Sequence, residues 1–414
     1  MRRTCLFACA LGLAPPALAD GGADVAWTTR YIGELHAGRG DSPFALGLPL
    51  TSFGRDSQRL EQEARGKLGP VSLLLTGTLS GQEGAEPKSH LLANEAYADF
   101  GSGADRFSIG KKILSAGVGY GFRPLDVLQR ERRLRVLPPQ LDGVPQLSWQ
   151  RFTADDAWSV ILANPGHGER GDPKTDGSLA LRWYGRRDGV DLHGVARASQ
   201  RFGLEAGGGF SAVPSPALEL HGEFLAASRG ERMAPQDGAL AGPALLAPTG
   251  NLQTEVVHAP VKALGGFTWT TETGWSFVGE AWWDGTAPSA ADWQRLAAQA
   301  AARNALAGLP GVPAAAVAGS QAAATRMFQD PGFGRRAALA HLAWSDPAGG
   351  NWSGYADLLA TLEDRGWTAT AALAWQGDRT RMDVGVRRYG GAPASAYRLL
   401  PERGIAFIGV SLSY

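Results

Sequence analysis

The 414-residue sequence predicts an all-β protein, a transmembrane antiparallel up-and-down β-barrel of about eighteen strands, or about sixteen, with short helices in one long loop. Three observations predict this fold. Many short segments alternate between apolar and polar residues with the period of two that a β-strand requires. Short and long connections between these segments alternate in a constant phase along the chain. No segment approaches the ~20 consecutive apolar residues that a membrane-spanning helix needs.

The N-terminal end has the three parts of a secretory signal peptide. A basic start, Met-Arg-Arg, precedes an apolar run at 6–13, and the Ala-Leu-Ala of 17–19 is a cleavage motif. We therefore expect residues 1–19 to be a signal peptide and residues 20–414 to form the barrel.

Composition narrows the classes of function. Both cysteines, Cys5 and Cys9, lie in the predicted signal peptide, which excludes disulfides, thiolate metal sites, attached haem and a cysteine nucleophile from the exported protein. The formal net charge is zero, whereas a protein that binds nucleic acid usually has a basic footprint. The chain has no Gly-x-Ser-x-Gly, His-Glu-x-x-His or P-loop motif. We predict no enzyme activity, no cofactor, no metal and no nucleic-acid partner.

The alternation assigns the strands and their two faces. On the segment 216–227 the apolar side chains are mostly even-numbered, whereas Glu219, His221 and Glu223 are odd-numbered. In a barrel, the apolar face of each strand contacts lipid and the polar face lines the lumen. We predict strands at 25–36, 57–68, 70–80, 91–100, 105–113, 145–153, 156–163, 178–186, 189–199, 204–213, 216–227, 260–271, 274–284, 335–345, 352–362, 367–376, 379–389 and 403–414.

The lengths of the connections favour a barrel over a soluble β-sandwich. If the first strand runs outward from a periplasmic N-terminus, one set of connections is uniformly short and rich in Gly, Asp or Pro. This set comprises 69–70, 101–104, 154–155, 187–188, 213–216, 272–273, 346–350 and 377–378. The other set contains every long connection, at 37–56, 114–144, 164–177, 228–259 and 285–334, with short exceptions at 200–203 and 363–366. Short periplasmic turns and long outer loops are typical of outer-membrane barrels.

The connection at 285–334 has the composition of helices. Ser289 fits an N-cap position before an alanine-rich run that continues to about Leu306, where the Gly- and Pro-containing residues 308–313 end it. A second alanine-rich stretch continues to about Met327. We expect one or two short helices at the outer mouth or inside the lumen.

The C-terminal strand carries a further signal. Leu412, Val410 and Ile408 form an apolar face, and the sequence ends on the aromatic residue Tyr414. This strand resembles the closing strand of Gram-negative outer-membrane barrels, whose terminal aromatic residue is read by the β-barrel assembly machinery. The resemblance implies a location in the outer membrane, with lipid, lipopolysaccharide and that machinery as partners.

The segment 109–135 combines a strand, closely spaced glycines, a turn and a cluster of arginines. Its residues 110–112 (Gly-Lys-Lys) and 124–126 (Pro-Leu-Asp) resemble a theme of porin-like outer-membrane families, including alginate-export-like barrels. In these families a Gly-Arg/Lys-Gln strand precedes a Trp-Gly pair and a Pro-x-Asp turn. Ala116 and Lys112 stand where the theme has Trp and Gln. The resemblance implies a pore whose long loop folds inward, and it identifies no substrate.

If the loop 114–144 folds inward, its basic residues would set a positive field in the narrow part of the pore. The candidates for this constriction are Arg123, Asp126, Arg130, Arg132, Arg133, Arg135, Lys111 and Lys112. The candidates for the rest of the lumen lining are Arg182, Arg186, Arg197, Glu219, His221, Glu223, Asp357, Arg381, Asp383 and Arg387. Two other roles stay open for the arginines, namely pairing with acidic side chains to brace the wall and binding lipopolysaccharide phosphates at the outer rim.

These observations predict an outer-membrane channel, porin-like or an exporter, that passes polar solutes, anions above all, or polysaccharide by passive diffusion through an Arg-lined constriction. The alternative is a non-conducting structural or partner-binding barrel in a surface-polymer assembly or a secretion system. The sequence leaves the solute, the direction of transport and the oligomeric state open.

Overall fold

A sheet of eighteen antiparallel strands closes into a barrel, as the alternation predicted. The computed structural model describes residues 24–129, 136–165, 176–238, 240–329 and 332–414. The barrel strands are β1 (Asp24–Gly38), β2 (Ser57–Leu68), β3 (Val71–Gln82), β4 (Lys88–Phe100), β5 (Asp105–Lys112), β6 (Val144–Phe152), β7 (Asp156–Ala163), β8 (Ser178–Arg187), β9 (Val190–Ser199), β10 (Gly203–Ser215), β11 (Leu218–Ala227), β14 (Val261–Thr270), β15 (Trp275–Asp284), β16 (Arg336–Ser345), β17 (Trp352–Thr361), β18 (Gly366–Gln376), β19 (Thr380–Gly391) and β20 (Glu402–Ser413). Between β11 and β14, β12 (Arg229–Pro235) and β13 (Leu252–His258) form a separate hairpin. Each predicted barrel strand is confirmed, with bounds that differ by a few residues.

The barrel closes where the first strand meets the last. β1 pairs with β20, from Thr28 opposite Ser413 to Gly38 opposite Glu402. The other barrel strands pair with the barrel strands that precede and follow them in the chain. Leu204 is exposed on the outer surface, whereas the carboxylate-bearing Glu223 faces inward. Apolar residues therefore cover the outside and polar residues line the inside, as the alternation predicted.

The short and the long connections lie at opposite ends of the barrel. At one end, the β8–β9 hairpin turns through Asp188 (φ 50°) and Gly189 (φ 80°), which both adopt the left-handed conformation of a type I′ turn. The long connections 113–143, 228–260 and 285–335 join strands at the other end. The strand pairing therefore confirms the predicted phase of the connections.

The long connections fold together over their end of the barrel. They contain α1 (Ala290–Leu306), α2 (Ala314–Ala324), α3 (Ala396–Leu399) and 3-10 helices at Ala45–Leu50, Gly242–Leu246 and Thr325–Gln329. In the described part of the chain, no helix is long and apolar enough to cross a bilayer. We call the described residues of 39–56, 228–259, 285–329 and 392–401 the cap.

The helix α1 begins after Ser289, as predicted. The Ser289 hydroxyl accepts the N–H of Asp292 at 3.2 Å, and the Asp292 carboxylate accepts the N–H of Ser289 at 2.8 Å, which is a capping box. Near the end of α1, the buried Arg303 donates to the carbonyl oxygens of Leu245 (2.9 Å) and Gly250 (2.7 Å). Burial lowers the pKa of Arg303 to about 10. These bonds fasten α1 to the 3-10 helix beside it.

An aromatic core joins the cap to the barrel wall. Trp293 of α1 stacks on Phe328 with 5.4 Å between the ring centroids, and Phe44 meets Phe328 edge-on at 5.5 Å. The same cluster contains Leu339 and Leu359, which face inward from β16 and β17. The lumen wall is therefore apolar beneath the cap, and the cap fills the lumen at this point.

The hairpin of β12 and β13 was not predicted. The sequence predicts one long loop at 228–259. In the structure, Arg229–Pro235 pairs with Leu252–His258 outside the barrel sheet. Met233 of this hairpin packs against the cap core. A hairpin that packs on loops needs no continuous apolar stripe, so its alternation is weaker than that of a barrel strand.

Candidate constriction of the lumen

The connection between β5 and β6 enters the lumen and lies against the wall. We call its residues 113–129 the inner loop. Leu125 and Val127 are buried against Val195 and Leu225, which face inward from β9 and β11. Burial of these apolar side chains holds the middle of the inner loop on one side of the barrel.

Arg123 and Asp126 brace the inner loop from within. Asp126 Oδ1 accepts the N–H groups of Ala116 (2.6 Å) and Gly117 (2.8 Å). Arg123 donates its Nε–H to the carbonyl oxygen of Gly119 at 2.7 Å, and its Nη1 lies 3.6 Å from the Asp126 carboxylate. Both predicted constriction candidates therefore hold the conformation of the loop.

The tip of the inner loop reaches β15, β16 and β17. The ring of Phe122 stacks on Trp282 with 5.6 Å between the centroids. The hydroxyl of Tyr120 lies 3.2 Å from Nδ1 of His341, which lies 2.5 Å from the carboxylate of Asp357. The inner loop thus extends along the wall from β5 as far as β17, and the predicted lining residue Asp357 supports its tip.

The chain meets the wall again at 136–143. The carbonyl oxygen of Leu137 accepts a hydrogen bond from Nη2 of Arg59 on β2 at 2.8 Å, and the N–H of Gly143 donates to the carbonyl of Asn94 on β4 at 2.8 Å. The predicted constriction candidates between these two stretches lie outside the described residues. They are Arg130, Arg132, Arg133 and Arg135.

The two predicted lysines lie at the root of the inner loop. Lys111 pairs with Asp142. Lys112 lies 3.2 Å from the carboxylate of Asp99 and 4.4 Å from the ring centroid of Tyr97. Both ammonium groups therefore have a carboxylate partner where the loop leaves and rejoins the wall.

The predicted lining residues of β8, β9 and β11 surround the inner loop. Arg182 donates its Nη2–H to the carbonyl oxygen of Ser115 at 2.7 Å. Arg197 is buried between Asp176 and Glu205, each at 2.7 Å. Strand register places the other candidates of these strands on the same inward face, and these are Arg186, Glu219, His221 and Glu223.

The histidine of β11 shows the local chemistry of this side of the lumen. His221 lies 3.2 Å from the carboxylate of Glu219 and 3.0 Å from that of Glu280. Among the described residues, no group of three His, Cys, Asp or Glu side chains is placed to hold a metal ion. The arrangement is suited to positioning a loop.

The opposite stretch of wall, formed by β19, β20, β1 and β2, carries a second set of charges. Arg381 and Arg30 both lie opposite Ser411 of β20, so they occupy one row across three strands. Arg381 pairs with Asp383 at 2.8 Å. We call the inward-facing arginines of these strands the arginine wall, and they are Arg30, Arg59, Arg65, Arg381 and Arg387.

On the arginine wall, the arginine side chains are more exposed than the carboxylate side chains with which they pair. In its ion pairs the arginine side chain is the more exposed partner. The exposed fractions are 34% and 6% for Arg30 and Glu61, 48% and 12% for Arg381 and Asp383, and 59% and 23% for Arg65 and Glu63. The arginines of this wall are therefore more accessible to a solute than the carboxylates.

The sequence analysis did not include Arg30, Arg59 and Arg65 among the lining candidates. The signal was present, because Arg59, Glu61 and Arg65 are all odd-numbered on β2 and the polar face of a strand repeats every second residue. The inward and outward faces of a strand can be assigned from the sequence only where the outward face is clearly apolar. The even-numbered face of β2 is not, because it includes Gln58, Gln62 and Gly66.

The fold is shared with solved outer-membrane proteins. OccK8 (OprE) of Pseudomonas aeruginosa has a TM-score of 0.54 and 11% identity, covering 95% of this chain and 98% of that chain. OpdK of the same organism, solved with vanillate, has a TM-score of 0.53 and 9% identity, covering 95% and 98%. OccK2 (OpdF) of this organism, in complex with glucuronate, has a TM-score of 0.51 and 11% identity, covering 94% and 97%.

No protein-family model and no curated protein sequence matches the chain. At these low identities the structural likeness concerns the fold, and it confirms the predicted resemblance to porin-like barrels at that level. The alginate-export-like part of the resemblance stays a prediction. The chain therefore has the β-barrel fold seen in the OccK and Opd outer-membrane proteins.

Proposed function

We propose that the protein is an outer-membrane porin that passes small organic anions by passive diffusion. The observation that carries the proposal is the arginine wall, whose arginine side chains are more exposed than their paired carboxylates. Guanidinium groups bind carboxylates and phosphates through two parallel hydrogen bonds, which suits solutes of this class. Selectivity then depends on pore width and on the sign of the lining charge.

The similar structures support this class of solute. OpdK was solved with vanillate and OccK2 with glucuronate, and both ligands are organic anions. The inner loop and the cap both occupy the lumen, which favours small solutes over polysaccharide. Polysaccharide export is therefore less favoured than the passage of small organic anions.

Other parts of the proposal rest on the sequence. Residues 1–19 direct export, and Tyr414 with the apolar face of its strand engages the β-barrel assembly machinery. Lipid and lipopolysaccharide surround the outer surface in the outer membrane of a Gram-negative bacterium. The arginines within 130–135 add positive charge to the pathway. The proposed function includes no enzymatic reaction.

Conductance of the refolded protein in a planar bilayer tests the proposal. Steady conductance with anion preference in a KCl gradient is the expected result. Vanillate or glucuronate added to one side should then reduce the chloride current, because they compete for the arginine wall. A pore that prefers cations would contradict the assigned selectivity.

A second candidate is a non-conducting barrel that binds a partner. The cap favours it, because the aromatic core around Trp293 and Phe328 packs on the wall and covers part of the lumen. A correctly folded barrel that never conducts would support this candidate and contradict the porin. If a variant lacking 290–328 then conducts, the cap is the plug.

A further inference from the structure

The inner loop is fastened to the wall through its main chain. Glu223 faces inward from β11, and its carboxylate accepts three backbone N–H groups of the loop. Oε1 accepts those of Val118 and Gly119, the latter at 3.0 Å, and Oε2 accepts that of Leu125 at 3.0 Å. Both oxygens of one wall carboxylate are therefore committed to the loop.

A second carboxylate of the wall, on β15, also binds the inner loop. Glu280 Oε2 accepts the N–H of Gly121 at 2.8 Å, and Oε1 accepts the N–H of Tyr120. Oε1 also lies 3.0 Å from Nε2 of His221. The four consecutive backbone amides at 118–121 thus donate in pairs to two carboxylates on different strands.

Glycines let the backbone come this close to the wall. A Cβ added at Gly121 would lie 2.7 Å from Cδ2 of Leu339, and one added at Gly119 would overlap Leu264. The loop therefore has no room for a side chain at Gly119 or Gly121. These close approaches explain why the glycines of the segment 109–135 are closely spaced.

The two carboxylates belong to the barrel wall, and the amides that donate to them belong to the inner loop. Glu223 and Glu280 are each 4% exposed and lie on β11 and β15, which both pair with β14. A buried carboxylate needs hydrogen-bond donors, and charge-assisted bonds from N–H groups are stronger than neutral ones. The wall and the loop therefore satisfy each other, and both lose these hydrogen bonds when the loop moves away.

We propose that Glu223 and Glu280 are the positioning residues of the constriction, which set the width of the pore by holding the main chain of the inner loop against the wall. This inference rests on the proposed function for its consequence in transport. The carboxylates act through the loop and do not contact the solute. The pore width then depends on two wall residues that lie far from the inner loop in the sequence, Glu223 on β11 and Glu280 on β15.

The test uses Glu223→Gln, Glu280→Gln and the double variant in the full-length barrel. Glutamine keeps the size of the side chain but replaces one accepting oxygen with an NH₂ group that opposes a backbone N–H. Asp191→Asn is the matched control, because Asp191 is also an inward-facing carboxylate and its partner is the hydroxyl of Tyr184 on the wall at 2.7 Å. Heat-modifiable migration on a gel verifies that each variant is folded.

Hydrogen exchange and conductance are measured together. In the double variant we expect amide exchange within 118–125 to accelerate about tenfold or more, because charge-assisted bonds to these amides are lost. We also expect the conductance to rise about twofold, with larger neutral sugars admitted. The control should leave exchange within 118–125 at the wild-type rate.

The outcomes separate this inference from the proposed function. Exchange and conductance equal to those of the control would overturn the positioning role, even in a pore that conducts anions. A wild-type barrel that does not conduct would overturn the porin, and the exchange rates within 118–125 would still decide whether Glu223 and Glu280 hold the loop. Faster exchange without a change in conductance would also overturn the role in setting pore width.

Discussion

Neutralising Arg381 should shift the selectivity of the pore toward cations. Arg381 pairs with Asp383 at 2.8 Å, so Arg381→Gln leaves one lumen carboxylate without its partner and changes the local charge by one unit. An ion that passes about 7 Å from that charge in a water-filled lumen gains or loses ~0.6 kcal/mol. Cations and anions respond with opposite sign, so the permeability ratio should change by ~1.2 kcal/mol, or about eightfold.

The reversal potential across a KCl gradient measures this ratio. The gradient should be centred near 0.1 M salt, where charges act over about 10 Å, and repeated near 1 M, where screening to about 3 Å should shrink the effect. Asp383→Asn should shift the reversal potential in the opposite direction. The double variant Arg381→Gln/Asp383→Asn should return close to the wild-type value, because the removed charges cancel.

Two results near 0.1 M salt would refute this electrostatic reasoning. One is a reversal potential that is the same in the wild type and in both single variants. The other is a shift of the same sign for Arg381→Gln and Asp383→Asn, since a loss of packing and not of charge would then explain both. Persistence of the full shift near 1 M salt would also contradict a screened, long-range effect.

Three further predictions concern the cap, the C-terminal strand and pH. Trp293→Ala should destabilise the cap by about 3–5 kcal/mol, because it empties the aromatic core; limited proteolysis within 290–329 measures this, and cleavage at the wild-type rate would contradict it. Deleting Tyr414 should lower the yield of heat-modifiable barrel in the outer membrane, and an unchanged yield would rule out its role in assembly. The hydrogen bond from Arg398 lowers the pKa of Asp41, so the link it makes at 2.6 Å is fully present above the ordinary carboxyl pKa of ~3.9 and is lost as the pH falls through the lowered pKa of Asp41. The difference in hydrogen exchange between wild type and Asp41→Asn should therefore be present near pH ~6 and shrink as the pH falls through the lowered pKa of Asp41, and a pH-independent difference would argue against the link.

The barrel could be predicted because each strand carries its own signal. Strand β11 shows its apolar and polar faces within ten residues, and the identity of its neighbours does not matter to that pattern. The start of α1 is equally local, since the capping box joins Ser289 to a residue three positions later. Local patterns of this kind survive in a single sequence.

The contacts that position the inner loop could not be predicted in the same way. Glu223 binds the amide of Gly119, and nothing in either side chain identifies the other, because a backbone N–H has no sequence signature. The apolar wall beneath the cap presented a different problem. Leu339 faces inward with apolar neighbours on both faces of β16, so alternation alone does not reveal that a folded cap covers it.

The cap determines how an antibody would recognise its end of the barrel. It also determines where a tag could be inserted there. Its segments come from distant parts of the chain and share one core, so the surface it presents is a discontinuous epitope that a linear peptide from a single loop would not reproduce. The turn at 83–87 between β3 and β4 lies on the same side, is exposed throughout and does not belong to the cap core. That turn is the described segment where an inserted epitope would reach solvent while the cap stays folded.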